Sequence, residues 1–376
     1  VSLPHGPTIG VIANPVSARD IRRVVAHAGN LQITDRVNIV LRVLQAARAA
    51  GLERALLMPD RGGIRALLER HLRRGDLLLP AIEFLPMEPK STVEDTFAAT
   101  RLLQRAGVAA IVVLGGDGTH RAVVRELIAG GAALPIAGLS TGTNNAFPEF
   151  CEPTVTGLAV GLYASGRIAG GEALVPNKLV EVSLGQGAAA RRDVAIVDAV
   201  VTRDRSIGAR ALWKTHSLAH AYLAFAEPQA IGLSAIGGLL EPVGRRERGG
   251  LAVQLGRDVE GALLDLQVPI APGLVCPVPV AGWQRMVADQ ALAVPLAHGV
   301  AGTVALDGER ELAFDAGERL SMTLREDAFC TLDVARCLAV AARDGLFRSA
   351  SPARDTPLPS RPARRPPPAP VSIPTR

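Results

Sequence analysis

The chain runs without a polar break from Ala109 to Leu114, turns through Gly115-Gly116-Asp117-Gly118-Thr119, and continues into His120–Ile128, where apolar residues return at helical spacing. An apolar run of that length reads as a strand buried on both faces. A strand, a glycine turn and a helix start together build an anion site. The backbone comes close, its N–H groups are available, and the positive end of the helix dipole faces the ligand. The glycines remove side chains that would hold a phosphate away. Asp117 is the one carboxylate in the turn. It repels a phosphate unless it carries Mg²⁺ or takes a proton from an attacking hydroxyl, and that combination points to phosphoryl transfer. The same residues also fit an ordinary turn in which the aspartate caps the next helix.

A second loop shifts the balance toward function. Ser140-Thr141-Gly142-Thr143-Asn144-Asn145 follows another short apolar strand, Pro135–Leu139. In an open α/β sheet the loops after successive strands meet at the carboxyl edge, where ligands bind. Hydroxyls and amides there suit phosphates and a nucleotide. Two better-known nucleotide signatures are missing. No Gly-x-x-x-x-Gly-Lys-Ser/Thr occurs, and Arg121 stands where a dinucleotide fingerprint needs its last glycine.

These motifs, in this order, resemble the NAD kinase and diacylglycerol kinase superfamily. Leu306-Asp307-Gly308-Glu309 is similar to the Asp-Gly-Glu/Gln turn of that family's second domain, and Leu233–Gly238 is similar to part of the NAD kinase substrate region. Ala271–Val275 matches a further segment, and Ile9–Pro15 fits a first strand ending in Asn-Pro. Within the superfamily, Asn14-Pro15, Asp20-Ile21-Arg22-Arg23 and Gly115–Arg121 look like the acetoin catabolism protein X branch. The resemblance spans roughly residues 8–348.

The resemblance implies an α/β protein with a doubly wound parallel-sheet domain and a β-rich second domain. It implies ATP and Mg²⁺ as cofactors, NAD as substrate and a homo-oligomer. It places Asn14, Gly115, Gly116, Gly118, Thr119, Thr141, Gly142, Thr143, Asn144 and Asn145 on the nucleotide. It makes Asp117 and Glu309 catalytic and Asp307 a metal ligand, and it puts Asp198, Ser234 and His120 at the substrate. Two departures stand out. Val197-Asp198 replaces the Asn-Glu pair with which NAD kinases bind substrate, and Thr143–Phe147 resembles the lipid-kinase version of its loop more than the NAD-kinase one.

Several of these residues also have plainer readings. Asp307-Gly308 suits a β-hairpin turn. His120 contacts ligand or caps its helix. His216 and His220, spaced i, i+4 on an expected helix over Arg210–Ala226, form a polar face rather than a metal site, because a third ligand is missing. Lys178 reads as a linker residue, and Arg22 and Arg23 as a solvated helix face.

Strands and helices alternate through the first part of the chain: Thr8–Ala13, Arg54–Met58, Ala81–Leu85 and 109–114 as strands; Ser17–Ala28, Asp35–Ala50, Ile64–Arg73 and a segment up to Ala106 as helices. Ser91-Thr92 with Glu94-Asp95 offers that last helix a capping box. Such alternation predicts a parallel sheet covered on both faces. Val155–Ala164 is a helix leading out of the domain. From about residue 175 the segments become short, Val/Leu-rich and broken by Gly, Pro and Asp: Leu179–Leu184, Asp193–Thr202, Leu251–Leu255, Leu263–Val268 and Gly302–Leu306. The expected boundaries are a nucleotide-binding domain at 1–165, a β-rich substrate domain at 166–332, a returning helix at 333–348, and a Pro/Arg-rich disordered tail at 349–376.

Composition limits the function classes. Part of the net charge of +5 sits in the tail, and no basic stripe is interleaved with aromatics, so nucleic acid is not an expected partner. No run of 18 apolar residues occurs, so no membrane span is expected. Cys151, Cys276, Cys330 and Cys337 have no C-x-x-C spacing, and with no N-terminal signal the expectation is a cytoplasmic protein with reduced thiols. The function expected from the sequence is ATP-dependent phosphoryl transfer, in the NAD kinase manner to the 2′-hydroxyl of NAD. A kinase for a lipid or small hydroxylated metabolite, or a nucleotide-binding regulator without turnover, remains the alternative.

Overall fold

In the computed structural model, residues 6–15 and 31–348 are described, apart from 76, 132, 142–145, 149, 188–189, 204–216, 257–262 and 297–298. The expected helix over Ser17–Ala28 with Arg22 and Arg23, the loop residues Gly142–Asn145, His216 and the tail lie outside the described residues.

In chain order the elements are β1 (Thr8–Ala13), α1 (Ile33–Ala49), β2 (Arg54–Leu57), α2 (Ile64–Arg74), β3 (Ala81–Phe84), α3 (Val93–Ala106), β4 (Ile111–Gly115), α4 (Asp117–Ala129), β5 (Ile136–Ser140), α5 (Pro153–Ala164) and α6 (Gly170–Ala173). There follow β6 (Leu174–Leu184), β7 (Arg191–Ala195), β8 (Asp198–Thr202), β9 (Leu218–Leu223), α7 (Ser234–Gly238), β10 (Gly250–Leu255), β11 (Leu264–Ala271) and β12 (Leu274–Met286). The chain closes with β13 (Ala291–Ala293), β14 (Gly302–Leu306), β15 (Glu309–Phe314), β16 (Leu320–Leu332) and α8 (Val334–Arg343).

The strands form two sheets. The first has the order β3-β2-β1-β4-β5-β16-β6-β7, with β13 on β16; the second runs β11-β12-β10-β9-β8-β14-β15. The five N-terminal strands pair in parallel, and the second sheet is antiparallel throughout. This is the α/β fold with a parallel-sheet N-terminal domain and an antiparallel second domain that the strand pattern predicts. No helix of the described residues is long and apolar enough to cross a membrane.

The unbroken apolar run in β4 has a simple cause. Ile111 and Val113 pack with α3 and α4 residues such as Leu103 and Val123, whereas Val112 and Leu114 pack on the other face with Val40 and Leu44 of α1. Side chains alternate along a strand, so a run apolar at every position needs helices on both faces. On the second face α5 lies directly on α1. A Cβ at Gly157 would sit 2.3 Å from the Val43 carbonyl oxygen, and one at Gly161 2.5 Å from that of Ala47. The two glycines therefore set the closeness of the helix pair. Gly157→Ala is expected to lower stability by about 1–3 kcal/mol, because backbone cannot yield as a flexible side chain does. A urea midpoint equal to wild type would show that the helices separate at no cost.

Three local expectations need correction. The segment expected as a helix over Arg210–Ala226 contains strand β9 in its described part. All six β9 residues are buried, so the outward-facing polar positions that betray a half-exposed strand are absent. Leu-Ala-His-Ala-Tyr-Leu carries helix-favouring residues, but hydrogen bonding to β8 and β10 on either side overrides them. His220 thus lies on a strand, not on a helix. Second, Asp193–Thr202 is two strands, not one. The chain leaves the first sheet after β7 and enters the second at β8. Third, Thr92 is the N-cap of α3 but its side chain makes no capping bond. The Asp95 carboxylate instead accepts from the backbone N–H groups of Lys90 and Ser91 at 2.6–3.0 Å.

Candidate active site

Helix α4 begins at Asp117, immediately after the glycine pair, with Gly116 as an N-cap that offers no side-chain bond. The first N–H groups of the helix are therefore not met by a side-chain cap. A Cβ at Gly115 would fall 2.5 Å from that of Thr119, so the turn needs glycine to close this tightly. Asn14, at the end of β1, donates through Nδ2 to Thr119 Oγ1 at 3.1 Å. Thr141 N donates to Gly115 O at 3.0 Å. The carboxyl ends of β1, β4 and β5 are thereby tied together, which brings Asn14, Gly115, Gly116, Gly118, Thr119 and Thr141 to one edge of the sheet.

Asp117 does not cap its own helix. Its carboxylate accepts from Ala146 N and Phe147 N, each at 3.0 Å, on the loop after β5. Burial pushes its carboxyl well above the usual range; nearby Asp307 adds to the rise and Asp198 adds less, while the two backbone donors oppose it. The side chain lines a cleft with Asp198, Ser234, Asp307, Gly308 and Ala146. The glycine turn, β8, α7 and the β14–β15 turn thus converge, and Asp117, Asp198, Ser234 and Asp307 meet.

Asp307-Gly308 is the two-residue turn of the β14–β15 hairpin, with both residues at positive φ (51° and 80°). That is the Asp-Gly turn the plainer reading expects. The aspartate does more than turn the chain. Its carboxylate accepts from the N–H groups of Ile196, Val197 and Asp198 at 2.8–3.2 Å, pinning the segment where the chain crosses between sheets. Burial raises its carboxyl to about 6 against the pull of Arg121 and those three donors. With three backbone donors on its two oxygens, Asp307 braces the crossover between the sheets. No group of three His, Cys, Asp or Glu among the described residues could hold a metal ion. Glu309 stands against the start of α4: its Oε1 is 3.3 Å from where a Gly118 Cβ would stand.

Arg121 joins these parts. Its side chain, 4% exposed, reaches Asp193 at 3.4 Å and Asp307 at 3.9 Å. The arginine that breaks the dinucleotide fingerprint therefore links α4 to β7 and to the β14–β15 turn.

His120 is not among the residues that line the cleft. It is fully buried, Nδ1 lies 2.9 Å from Gly116 O, and its ring meets Phe147 edge-on at 5.6 Å. The expectation of a substrate contact is corrected to a supporting role behind the turn. Burial lowers its pKa to about 4, partly offset by backbone carbonyls. A depressed pKa means that only the unfolded chain takes the proton as pH falls. The neutral ring therefore contributes about 3 kcal/mol above pH 6.5, lost progressively toward pH 4. Asp307 titrates with the opposite sign between about 4 and 6. Denaturant midpoints from pH 7 to 4 should fall less steeply in His120→Gln than in wild type; parallel curves would contradict the assignment.

Two arginines escaped the sequence reading. Arg36 is fully buried and donates from Nη1 to Asn14 O at 2.7 Å, with Thr141 Oγ1 at 3.5 Å. The signal was present: Arg36, Val40, Val43 and Ala47 share one helical stripe, so a cation stood on an apolar face. Arg245 donates to Ala146 O and to Glu227, and lies 4.5 Å from the Phe225 ring centre. Nothing local marked it. Lys178, expected as a linker, is buried and donates to the carbonyls of Gly244, Glu247 and Gly249 at 2.6–3.0 Å, holding the loop that carries Arg245.

Two family models match this chain. Residues 9–168 match the ATP-NAD kinase N-terminal domain, and residues 178–327 match the acetoin catabolism protein X C-terminal domain. Acetoin catabolism protein X of Cupriavidus necator is 56% identical over 347 residues, covering 91% of this chain and 94% of that protein. Among solved structures, yeast NADH kinase complexed with NADH aligns with a TM-score of 0.45 at 12% identity, over 94% of this chain and 95% of that one. A putative diacylglycerol kinase from Bacillus anthracis aligns with a TM-score of 0.44 at 12% identity, over 87% and 96%. At 56% identity over nearly the whole of both chains, this chain belongs to the acetoin catabolism protein X family.

Proposed function

We propose that the chain is a phosphotransferase that moves a phosphoryl group from ATP to an alcohol hydroxyl, and that the first acceptor to test is the 2′-hydroxyl of NAD. The observation that carries the reading is the meeting of an uncapped helix start at Gly116–Thr119 with the buried Asp117 carboxyl at an acid-lined cleft. The match of residues 9–168 to an ATP-NAD kinase domain supports it.

The residues fit a phosphate better than they fit a protein-held metal. Glycines at 115, 116 and 118 leave backbone N–H groups at the positive end of α4, which favours an anion. Asn14, Thr119 and Thr141 add hydroxyl and amide groups at the same edge. Bound ATP–Mg²⁺ would supply the phosphoryl group and neutralise its charge. Mg²⁺ in such sites is held largely by substrate phosphates with one or two carboxylates, and Glu309 is the carboxylate at the helix start.

Asp117 accepts the proton of the attacking hydroxyl. A carboxyl raised well above its usual range is a stronger base than a surface aspartate, and its two backbone bonds fix its orientation. Arg121 and Asp307 hold the second sheet against the turn, so the acceptor and the phosphate meet in one geometry.

A second reading, a small hydroxylated acceptor, is favoured by one observation. Asp198 lines the cleft at the place where NAD kinases carry an Asn-Glu pair. A link to acetoin breakdown is part of the proposal, since the relative from Cupriavidus necator is named for it. A cytoplasmic homo-oligomer is the family expectation that accompanies it. The test is NADP formation from ATP–Mg²⁺ and NAD by the purified chain. NADP formed in proportion to enzyme supports the first reading; ADP formed only with another alcohol supports the second; no transfer to any alcohol sinks both.

A further inference from the structure

We infer that the acid-lined cleft recognises a vicinal diol, with Ser234 and Asp198 binding the hydroxyl next to the one that Asp117 deprotonates. The inference rests on the phosphotransferase reading and names the chemistry that selects its acceptor.

Ser234 carries the argument. Its side chain is 1% exposed, it lines the cleft, and its Oγ has no hydrogen-bond partner among the described residues. A buried hydroxyl left unpaired costs free energy, so a partner from outside the protein is the economical explanation. Around it the cleft presents the carboxylates of Asp117, Asp198 and Asp307, all buried. In the state that takes a proton Asp117 is ionised, and an ionised carboxylate accepts and does not donate. An incoming group must therefore bring donors. It must also be uncharged or positive at this end, since a second anion would be repelled. For phosphoryl transfer the group is a hydroxyl. One hydroxyl meets Asp117; Asp198 and Ser234, which line the same cleft, call for another on the neighbouring carbon.

Leu233 and Ile270 also line the cleft and suit the carbon frame of a compact diol. A diacylglycerol fits poorly, having one free hydroxyl and two long chains. A diol reaches this cleft from two sources: the ribose of a dinucleotide, or a small free diol. Both present the same pair of hydroxyls.

The experiment uses the full chain and reads thermal stabilisation, which needs no turnover. The probes are propane-1,2-diol and ribose, with propan-1-ol, 2-deoxyribose and 1-aminopropan-2-ol as controls. The expected result is stabilisation by a diol that its monohydric or deoxy partner does not reproduce. Ser234→Ala should keep the wild-type melting temperature without ligand, because it removes an unpartnered hydroxyl, and should weaken diol binding by about tenfold. Asp198→Asn should weaken it as well. Binding of ribose alone assigns the diol to a ribose, and binding of propanediol assigns it to a free small diol; each supports the inference. Equal stabilisation by propan-1-ol, stronger binding of the amino alcohol, or unchanged affinity in both variants overturns it. The two readings fail separately. NADP formation with neither ribose nor propanediol binding leaves the phosphotransferase standing and removes the diol. Diol binding without any ADP formation does the reverse.

Discussion

Replacing Asp117 with asparagine should lower phosphoryl transfer by about 10²–10⁴-fold, the range lost when a positioned general base is removed. The side chain has two tasks. In the proposed reaction it takes a proton from the acceptor, and in the fold it accepts from Ala146 N and Phe147 N, each at 3.0 Å. Asparagine keeps one carbonyl oxygen but turns an NH₂ toward the other donor, so one buried N–H is left unmet. That second loss costs about 1–3 kcal/mol of stability. The two losses separate in measurement: kcat follows the base, and the melting temperature follows the loop. A variant with lowered melting temperature and undiminished kcat at a temperature where it is folded would make Asp117 a scaffold residue only.

The largest stability loss is expected at Arg121. Asp193 and Asp307 are buried, with side chains 6% and 0% exposed, and Arg121 lies at 3.4 Å from one and 3.9 Å from the other. Arg121→Met preserves the apolar stem and removes the charge. Breaking a buried ion pair by removing one partner costs about 3–5 kcal/mol, since the carboxylate left behind has lost both water and cation. Arg125, at 3.3 Å from Asp193, partly compensates for that residue but not for Asp307. The loss should depend on pH. The Asp307 carboxyl is raised to about 6 with Arg121 present, and without the cation it rises further. Below that pH the group is neutral and needs no partner. The difference in urea midpoint between wild type and Arg121→Met should therefore be large at pH 8 and smaller at pH 5. A difference independent of pH would mean that Arg121 acts through packing. Lysine at this position should recover only part of the loss, because a point charge on a flexible stem cannot bridge two carboxylates as a planar guanidinium does.

The parallel half of the fold was legible because its signals are local. The run in β4 is apolar at every position, the glycine turn follows at once, and helical spacing resumes within three residues. The same holds for Asp307-Gly308, whose dipeptide dictates a tight hairpin. Its partners were not legible. Nothing in the sequence says that an aspartate at 307 will accept from N–H groups at 196–198, because a hydrogen bond across more than a hundred residues leaves no periodic trace. Strand β9 failed for a related reason: buried on both faces, it shows no alternation, and its alanines and leucines favour a helix in isolation. His120 was misplaced because a histidine after a glycine turn looks exposed until β5 and Phe147 close over it. Arg36 is different. Its position on the apolar stripe of α1 was visible, and a cation on such a stripe is the kind of conflict that marks a site.

The most direct test of the account is ADP formation from ATP–Mg²⁺ by the purified chain, with NAD or a diol as acceptor, in wild type and Asp117→Asn side by side. The account predicts acceptor-dependent ADP in the wild type and its loss in the variant, with nucleotide-dependent thermal stabilisation kept by both. Equal ADP formation by the two proteins, or none by either in the presence of every acceptor, would contradict a phosphotransferase built on the glycine turn.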